Sequence, residues 1–400
     1  MVKINIIKQS LLYVIIFCFT VVSSSILAVN SNITTNAKYV LIINQNQQKV
    51  LFNKNEKARL YPASITKLMT LYIAFRRIQD KQLSLQDTAI VSNNAFKKGN
   101  ITTGGSTMFL NAGQSVSVED LIKGIIVSSG NDAAITLSEL IAGSEEQFVN
   151  LMNNMAQELH LTGTHFANVD GIHNPKHYST AEDLTYLSYL IINNFPKYYD
   201  YFNDVDFTFN NIKQPNRNLL LNTKFPLNNI VVDGLKTGHT DISKYSIAFS
   251  AINNNNMRIT GIVSGVKTQA DRLSETKKLI QWVFDNFDQK LVYHKGEKII
   301  EIPVNIGAES SVILRAKEDI YFLYSKFSKL KAKAEIVILA PQYLIAPIKE
   351  GDKIATLKIT TDDPLFNMEI PLFAETKIEK SNIVLRVLFA PYYALKKLFN

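Results

Sequence analysis

The hydrophobic pattern changes in character along the chain, and the order of these changes restricts the folds that it can adopt. Residues 39–52 comprise two short strand-like runs joined by a polar turn, and helical spacing of apolar residues follows to about residue 195. Strand-like runs then return, at 230–236, 245–252 and 258–263. A helical pattern at 277–287 ends this region. Strands on both sides of a helical region form one sheet only by pairing distant segments, so we predict an α+β domain over residues 29–287.

Beyond residue 287 an alternating pattern replaces the helical spacing. Apolar residues occupy every second position over 300–306 and again over 355–360, with polar residues or proline between them. Such alternation, interrupted by glycine and proline, is typical of strands with one buried and one solvated face. We therefore predict a second, small all-β domain over residues 288–376.

The first 28 residues have the three parts of a secretory signal. Lys3 and Lys8 give a positive start, an apolar core spans residues 11–22, and small residues follow. We predict a signal peptide over residues 1–28 and secretion across the cytoplasmic membrane, with an uncleaved N-terminal anchor as the alternative. Cys18, the single cysteine, lies in the apolar core. The mature chain would then lack thiols, which excludes disulfides, cysteine nucleophiles and thiolate metal sites.

The C-terminal stretch, residues 377–400, is amphipathic. Arg386 and Lys397 share one helical face with other polar residues, and apolar residues occupy much of the remaining surface. A bilayer-spanning helix needs ~20 apolar residues, and this stretch is too short and too charged. We predict a helix that lies in the membrane interface, kinked at Pro391, and anchors the protein peripherally at the extracytoplasmic (periplasmic) face. A helix docked on its own domain is the alternative.

The net charge of +8 does not indicate nucleic-acid binding, because most of it lies outside the predicted domains. Residues 1–28 carry two of these charges and residues 377–400 carry a net four, which leaves +2 for the body of the chain. A surface for phosphate backbones requires a basic patch within the folded body. We therefore expect no nucleic-acid partner.

A serine and a lysine stand three residues apart at the start of a helical pattern, at Ser64 and Lys67. Positions i and i+3 share one face of a helix, so the lysine amine can reach the serine hydroxyl. A hydroxyl becomes an effective nucleophile when an adjacent base takes its proton. The same spacing occurs at 274–277 and 328–331, so this motif alone is a weak indication.

Two further motifs follow in the chain. Ser129-Gly130-Asn131 separates two helical patterns and can present Ser129 and Asn131 side by side, although an ordinary turn with Asn131 capping the next helix is the alternative. Lys236-Thr237-Gly238, followed by His239, comes after a strand-like run. Lysine and threonine suit a carboxylate ligand, and the glycine lets a peptide backbone approach the strand closely.

The order of these motifs is more specific than any one of them. A Ser-x-x-Lys, a Ser-x-Asn and a Lys-Thr-Gly form the set found in penicillin-binding proteins and class A β-lactamases. The chain resembles the low-molecular-mass penicillin-binding proteins that act as D-alanyl-D-alanine carboxypeptidases, and the similarity covers nearly all of the sequence. Other stretches typical of that family are also present, at 166–171, 177–180, 216–218, 233–236 and 271–278.

The resemblance implies a fold and a set of residue roles. The fold is an antiparallel sheet flanked by helices, then a small all-β domain and an amphipathic membrane-anchoring tail. The substrates are peptidoglycan stem peptides ending in D-Ala-D-Ala, and β-lactam antibiotics are covalent inhibitors. By similarity, Ser64 is acylated, Lys67 is its base, and Ser129 with Lys236 assists proton transfer. The other implied contacts are a peptide contact by Asn131, a close approach at Gly238, an oxyanion contact from the backbone N–H groups of Ser64 and His239, and a carboxylate contact by Thr237 and Arg272.

Three alternatives use part of this pattern. A serine β-lactamase shares the motifs, and a transpeptidase or endopeptidase differs only in the acceptor or the bond attacked. A non-catalytic wall-associated scaffold would retain the motifs without chemistry. The histidines have no metal-ligand spacing and no Gly-rich phosphate loop is visible, so we expect no metal or cofactor. One departure from the family pattern is Ile242-Ser243-Lys244 before Tyr245, where a small residue and glycine are common.

Overall fold

A computed structural model describes residues 3–9, 33–99, 105–222, 230–326, 334–361 and 363–383. The chain divides into two units, one of residues 33–284 and the other of residues 285–400 together with residues 1–32. The first strand, β1 (Lys3–Gln9), belongs to the second unit.

The first unit is built on a five-stranded antiparallel sheet with the order β3-β2-β10-β9-β8. The strands of this unit are β2 (Tyr39–Asn44), β3 (Val50–Lys54), β4 (Thr88–Ile90), β5 (Ser115–Ser117), β6 (Asp206–Phe209), β7 (Ile212–Pro215), β8 (Val231–Thr240), β9 (Lys244–Ile252) and β10 (Arg258–Val266). β4 with β5 and β6 with β7 form two small separate antiparallel pairs. The central β2–β10 pairing joins Leu41 to Ile262, so the two distant parts of the sequence form one sheet and the predicted α+β fold is confirmed.

Eight α-helices begin in the described part of the first unit. They are α1 (Lys67–Gln79), α2 (Asn93–Lys98), α3 (Val118–Val127), α4 (Asn131–Ala142), α5 (Glu145–Glu158), α6 (Ala181–Asn194), α7 (Pro196–Tyr199) and α8 (Gln269–Asn286). Side-chain caps fix several starts, because the hydroxyls of Ser117, Ser144 and Thr180 accept the third N–H of α3, α5 and α6.

Helix α1 lies in the centre of the first unit. Every residue from Lys67 to Phe75 is buried, so this helix has no solvated face over its first two turns. A short 3₁₀ helix, Ala63–Thr66, leads directly into it. A helix surrounded by core on all sides is positioned by packing on every face, which fixes the groups at its first turn.

The second unit is a β structure with its own hydrophobic core. Its further strands are β11 (Phe287–Tyr293), β12 (Lys298–Asn305), β13 (Ser311–Arg315), β14 (Ile320–Ser325), β15 (Ala334–Pro341), β16 (Leu344–Ile345), β17 (Lys353–Thr361) and β18 (Met368–Phe373). They form sheets of order β1-β15-β17-β18, β13-β12-β16 and β11-β14. Buried residues alternate with more exposed ones along β12 from Ile300 and along β17 from Ala355, as the period-2 pattern predicted.

The ends of the chain fall mostly outside the described residues. β1 lies within the predicted signal peptide and pairs in parallel with β15. Residues 10–28 and 384–400 are not described, so the signal peptide and the membrane-associated tail stay predictions. Within the described ranges, no helix is long and apolar enough to cross a membrane.

Helix α8 differs from the prediction at both ends. It begins at Gln269, eight residues before the predicted start, and Phe287 is already the first residue of β11. The N-terminal extension has a local cause, because Thr268 and Asp271 exchange hydrogen bonds between side chain and backbone N–H, at 3.0 and 3.1 Å. The first turns of α8 are polar, so apolar spacing did not reveal them.

A largely buried ion pair ties β8 to β10 beside the Lys-Thr-Gly motif. Both carboxylate oxygens of Asp233 contact the Arg258 guanidinium, at 2.7 and 2.8 Å, and the Tyr199 hydroxyl donates to the same carboxylate at 2.6 Å. The side chains are only 17 and 19% exposed. A bidentate pair shielded from water holds both strands at a defined separation.

We expect Arg258→Met to lower the free energy of unfolding of this unit by about 3–5 kcal/mol, because the buried Asp233 carboxylate loses its cation. Arg76→Met is the matched control: Arg76 pairs with Glu158 at 2.6 Å, but these side chains are 38 and 54% exposed. Its loss should cost less than about 1 kcal/mol. Denaturant titrations of both variants measure the difference, and equal losses would contradict the role assigned to the buried pair.

Candidate active site

Ser64 is the second residue of the 3₁₀ helix that leads into α1. Lys67 Nζ is 3.0 Å from Ser64 Oγ, and Ser64 is partly exposed whereas Lys67 is fully buried. Three residues of helical chain therefore place an amine against a solvent-accessible hydroxyl, as the i, i+3 spacing predicted. This geometry allows a neutral lysine to take the serine proton.

Two other oxygens complete the surroundings of the Lys67 amine. Asn131 Oδ1 and the backbone oxygen of Asp170 are each 2.7 Å from Nζ. Burial lowers the pKa of Lys67 from 10.5 to about 8, although Asp170 and Asp132 act in the opposite direction. A substantial fraction of the amine is thus neutral just above neutral pH, which suits a general base.

Ser129 and Asn131 lie on the connection between α3 and α4. Ser129 has a left-handed backbone, with φ of 61°, and its buried hydroxyl has no hydrogen-bond partner among the described residues. A buried hydroxyl without a partner costs free energy, and a ligand can satisfy it. Asn131 is the first residue of α4 and binds Lys67, so it does not cap that helix with its side chain. The prediction that Asn131 caps the next helix is therefore wrong.

Asp132 holds the segment beside this connection in place. Its carboxylate accepts from the Thr107 hydroxyl at 2.7 Å and from the backbone N–H groups of Met108 and Leu110 at 2.9 and 3.0 Å. Asn131 N–H also donates to the Ser106 oxygen at 2.8 Å. A carboxylate with this many donors fixes the loop that contains the second motif.

Lys236 is the second buried amine of the site. It is 1% exposed on β8, and its Nζ donates to the Thr237 oxygen at 3.2 Å. Burial first, and then the charges of Lys67, Arg217 and Arg272, hold the pKa of Lys236 well below its usual value. This accumulation of positive charge favours an anionic ligand.

Arg272 is 7% exposed and contacts two neighbours near β8. Its guanidinium donates to the Arg217 oxygen at 3.2 Å and lies 5.7 Å from the centre of the Tyr245 ring. Burial lowers the pKa of Arg272 to about 10. Tyr245 in turn stacks on His239, with ring centres 3.9 Å apart, so the third motif and Arg272 share one aromatic neighbour.

Two glycines allow the nucleophile turn to fit between its neighbours. A Cβ at Gly171 would lie 1.8 Å from the Ala63 oxygen, and the φ of Gly171 is 87°. A Cβ at Gly238 would lie 3.0 Å from the Pro62 oxygen. The absence of side chains at these positions lets the 166–171 segment and β8 approach the turn that presents Ser64.

The segment that departs from the family pattern forms the β8–β9 turn. Ser243 Oγ accepts from the Thr240 N–H at 2.9 Å and from the Thr240 hydroxyl at 2.8 Å. Lys244 has φ of 58°, a conformation that favours glycine, and Ile242 is 55% exposed. The turn therefore accommodates lysine in a left-handed conformation and presents an apolar side chain to solvent.

The structure brings the three motifs together and adds residues that sequence reasoning did not assign. Ser64, Lys67 and Asn131 are linked through one amine, while Ser129, Lys236, Thr237, Gly238, His239 and Arg272 lie on the adjoining connection, strand and helix. The added contributors are the Asp170 backbone oxygen and Arg217. Both lie in stretches that are typical of the family, at 166–171 and 216–218. These stretches are the sequence signal from which the two contributors could have been found.

Comparison with known protein families matches both parts of the chain. Residues 26–268 match the D-alanyl-D-alanine carboxypeptidase family model, and residues 287–380 match the penicillin-binding protein 5 C-terminal domain. The Escherichia coli K12 carboxypeptidase DacC is 35% identical over 355 residues, which cover 88% of this chain and 87% of the relative. Haemophilus influenzae DacA is 37% identical over 326 residues, which cover 82% of this chain and 81% of the relative.

Solved structures give the same result. The crystal structure of penicillin-binding protein 5 from Haemophilus influenzae aligns with a TM-score of 0.76 and 34% identity, and covers 88% of this chain and 99% of its own. Penicillin-binding protein 6B from Escherichia coli aligns with a TM-score of 0.68 and 32% identity, over 86% of this chain and 97% of its own. The chain therefore belongs to the D-alanyl-D-alanine carboxypeptidase family.

Proposed function

We propose that this protein removes the terminal D-alanine from peptidoglycan stem peptides through an acyl-enzyme on Ser64, with Lys67 as the base. The observation that carries the proposal is the 3.0 Å contact between a partly exposed Ser64 hydroxyl and the fully buried Lys67 amine. The family and its curated members supply the reaction class. No metal or cofactor takes part in this mechanism.

Acylation begins when the neutral Lys67 amine takes the Ser64 proton and Oγ attacks the penultimate D-Ala carbonyl carbon. The backbone N–H groups of Ser64 and His239 stabilise the oxyanion, a contribution of about 2.7–4 kcal/mol per donor in another serine hydrolase. The C–N bond then breaks, and the proton that Lys67 took from Ser64 passes by way of Ser129 and Lys236 to the leaving D-alanine amine, which returns Lys67 to its neutral form. Water hydrolyses the ester and restores Ser64.

Substrate binding uses the groups around β8. Asn131 contacts the peptide, Gly238 leaves space for its backbone, and Thr237 with Arg272 holds the terminal carboxylate. The buried cations Lys236, Arg217 and Arg272 support an anionic ligand here, because a carboxylate offsets their mutual repulsion. β-Lactams present an amide carbonyl and a carboxylate together, so they occupy the same site and acylate Ser64.

The protein acts outside the cytoplasmic membrane in this proposal. The positive start and apolar core of residues 1–28 support export, and the amphipathic pattern of residues 377–400 supports attachment to the membrane surface. The peptidoglycan substrate lies in the same compartment, so the location and the chemistry agree.

Covalent labelling tests the nucleophile directly. After brief exposure to benzylpenicillin, we expect intact-mass analysis of the full chain to show a gain of one penicillin, and no gain for Ser64→Ala. Ser274→Ala is a matched control from the second Ser-x-x-Lys occurrence and should label like the unmodified protein. An adduct that decays slowly supports the peptidase, whereas rapid loss with penicillin turnover favours a β-lactamase. Absence of both adduct and turnover would indicate the scaffold alternative.

The pH dependence of acylation tests the base. Because Lys67 acts in its neutral form and burial lowers its pKa to about 8, the acylation rate should rise with pH and level off above about pH 8. Below that value each unit of pH should reduce the rate about tenfold, since the neutral fraction falls tenfold. Stopped-flow measurement with a chromogenic β-lactam gives this profile. Lys67→Arg should lose acylation at every pH, because a guanidinium stays protonated. A flat profile for the unmodified protein would exclude Lys67 as the base.

A further inference from the structure

His177 is a buried histidine outside the three motifs, and it has no role in the proposed acylation and hydrolysis steps. It is 2% exposed and lies in the segment between α5 and α6. The two residues that follow it are paired: Tyr178 bridges to His165 through two backbone hydrogen bonds, and Ser179 bridges to Leu60 in the same way. The histidine is therefore held between the chain that leads to Ser64 and the start of the 166–171 segment.

Both ring nitrogens of His177 have partners in the active-site elements. Nδ1 is 3.2 Å from the Ala167 backbone N, and Nε2 is 2.7 Å from the Thr66 hydroxyl. A backbone N–H can only donate, so Nδ1 accepts and Nε2 carries the hydrogen that it donates to Thr66. Both bonds are thus satisfied by a neutral ring, and burial accordingly lowers the pKa of His177 to about 4.

The two partners of His177 stand next to the atoms that surround the catalytic amine. Thr66 immediately precedes Lys67, and Ala167 lies three residues before Asp170, whose oxygen accepts from Lys67 at 2.7 Å. One turn further along α1, the Thr70 hydroxyl donates to the Val169 oxygen at 2.8 Å. The first turn of α1 and the 166–171 segment are therefore joined on both sides of the Lys67–Asp170 contact.

We propose that His177 is a positioning residue that bridges Thr66 of α1 to Ala167 and so keeps the Asp170 backbone oxygen in contact with the buried Lys67 amine. This inference rests on the proposed function, because it assigns His177 an effect on Lys67 as the base. His177 itself makes no contact with the Ser64 hydroxyl in the described residues, so its effect passes through the backbone of two elements.

Loss of the bridge has a specific electrostatic consequence at Lys67. If the 166–171 segment moves away from α1, water enters and the burial that depresses the Lys67 pKa decreases. The other charged groups around Lys67 are Asp170, Asp132, Arg217 and Lys236, and they remain in every variant below. The acid limb, which is the part of the pH profile where the acylation rate rises with pH, should therefore move to higher pH when His177 is removed.

The experiment compares His177→Ala and His177→Gln in the full chain, with benzylpenicillin as the probe. His177→Ala should lower the acylation rate constant at pH 7 at least about tenfold and raise the acid limb by about one pH unit, since one unit changes the neutral fraction tenfold. The penicillin dissociation constant should change little. Glutamine retains one donor and one acceptor, so His177→Gln should recover most of the rate and return the limb toward pH 8.

Two further variants keep the result decisive. His165→Ala removes an exposed histidine of the same segment. Its Nδ1 lies 2.6 Å from the Lys176 oxygen and not against α1, so this variant should leave the pH profile unchanged. Thr66→Val removes the bridge from the other end with little change in volume, so it should shift the limb like His177→Ala. It also provides the answer if His177→Ala does not fold.

The outcomes separate the two ideas. A folded His177→Ala or Thr66→Val protein with the rate and acid limb of the unmodified chain overturns the positioning role while the proposed function stands. A reduced rate with an unshifted limb, and no recovery in His177→Gln, would show a structural contribution only and also overturns it. If the unmodified chain forms no adduct at all, the proposed function fails and this inference fails with it.

Discussion

The enclosure of the Lys67 amine is the interaction on which the rest of the site depends. An ammonium group in a dry interior loses its hydration, and three oxygens at 2.7–3.0 Å replace only part of it. The lost hydration outweighs these contacts, so the pKa of Lys67 falls to about 8 while its side chain stays buried. A lysine on a solvated helix face would keep its proton and leave Ser64 unactivated. The base thus arises from burial in the first turn of a helix that is surrounded by core on every side.

This requirement explains why distant parts of the chain meet at α1. The three oxygens come from the 3₁₀ helix before α1, from the first residue of α4 and from the 166–171 segment, so these three parts of the chain must be held close together. Asp132 fixes the α3–α4 connection, and Gly171 allows the 166–171 segment to touch the backbone at Ala63. The ion pair of Asp233 and Arg258 secures β8 on the other side. Packing and buried polar contacts together hold the three oxygens around the Lys67 amine.

The sequence predicted the side chains of this arrangement better than its backbone atoms. The spacing of Ser64 and Lys67 on a helix, and the strand that carries Lys236, followed from periodicity and motif order. The Asp170 oxygen did not, because any residue type supplies a carbonyl and only the fold decides which one points at an amine. The early start of α8 was missed for a related reason, since a polar first turn has no apolar spacing. The alternating strands of the second unit were predictable because one face of each is buried.

The two buried lysines also determine the direction in which an anionic substrate binds. A carboxylate beside Lys67 would raise the pKa of the amine that must stay neutral. Beside Lys236 and Arg272, the same carboxylate would raise the depressed pKa of Lys236 and favour its charged form, and the resulting pair would have little net charge to act on Lys67. The pKa values of the two amines would then move apart, one lysine serving as base and the other as anion contact. A peptide that satisfies both conditions enters with its carboxylate toward β8 and its scissile carbonyl toward Ser64 at the start of α1.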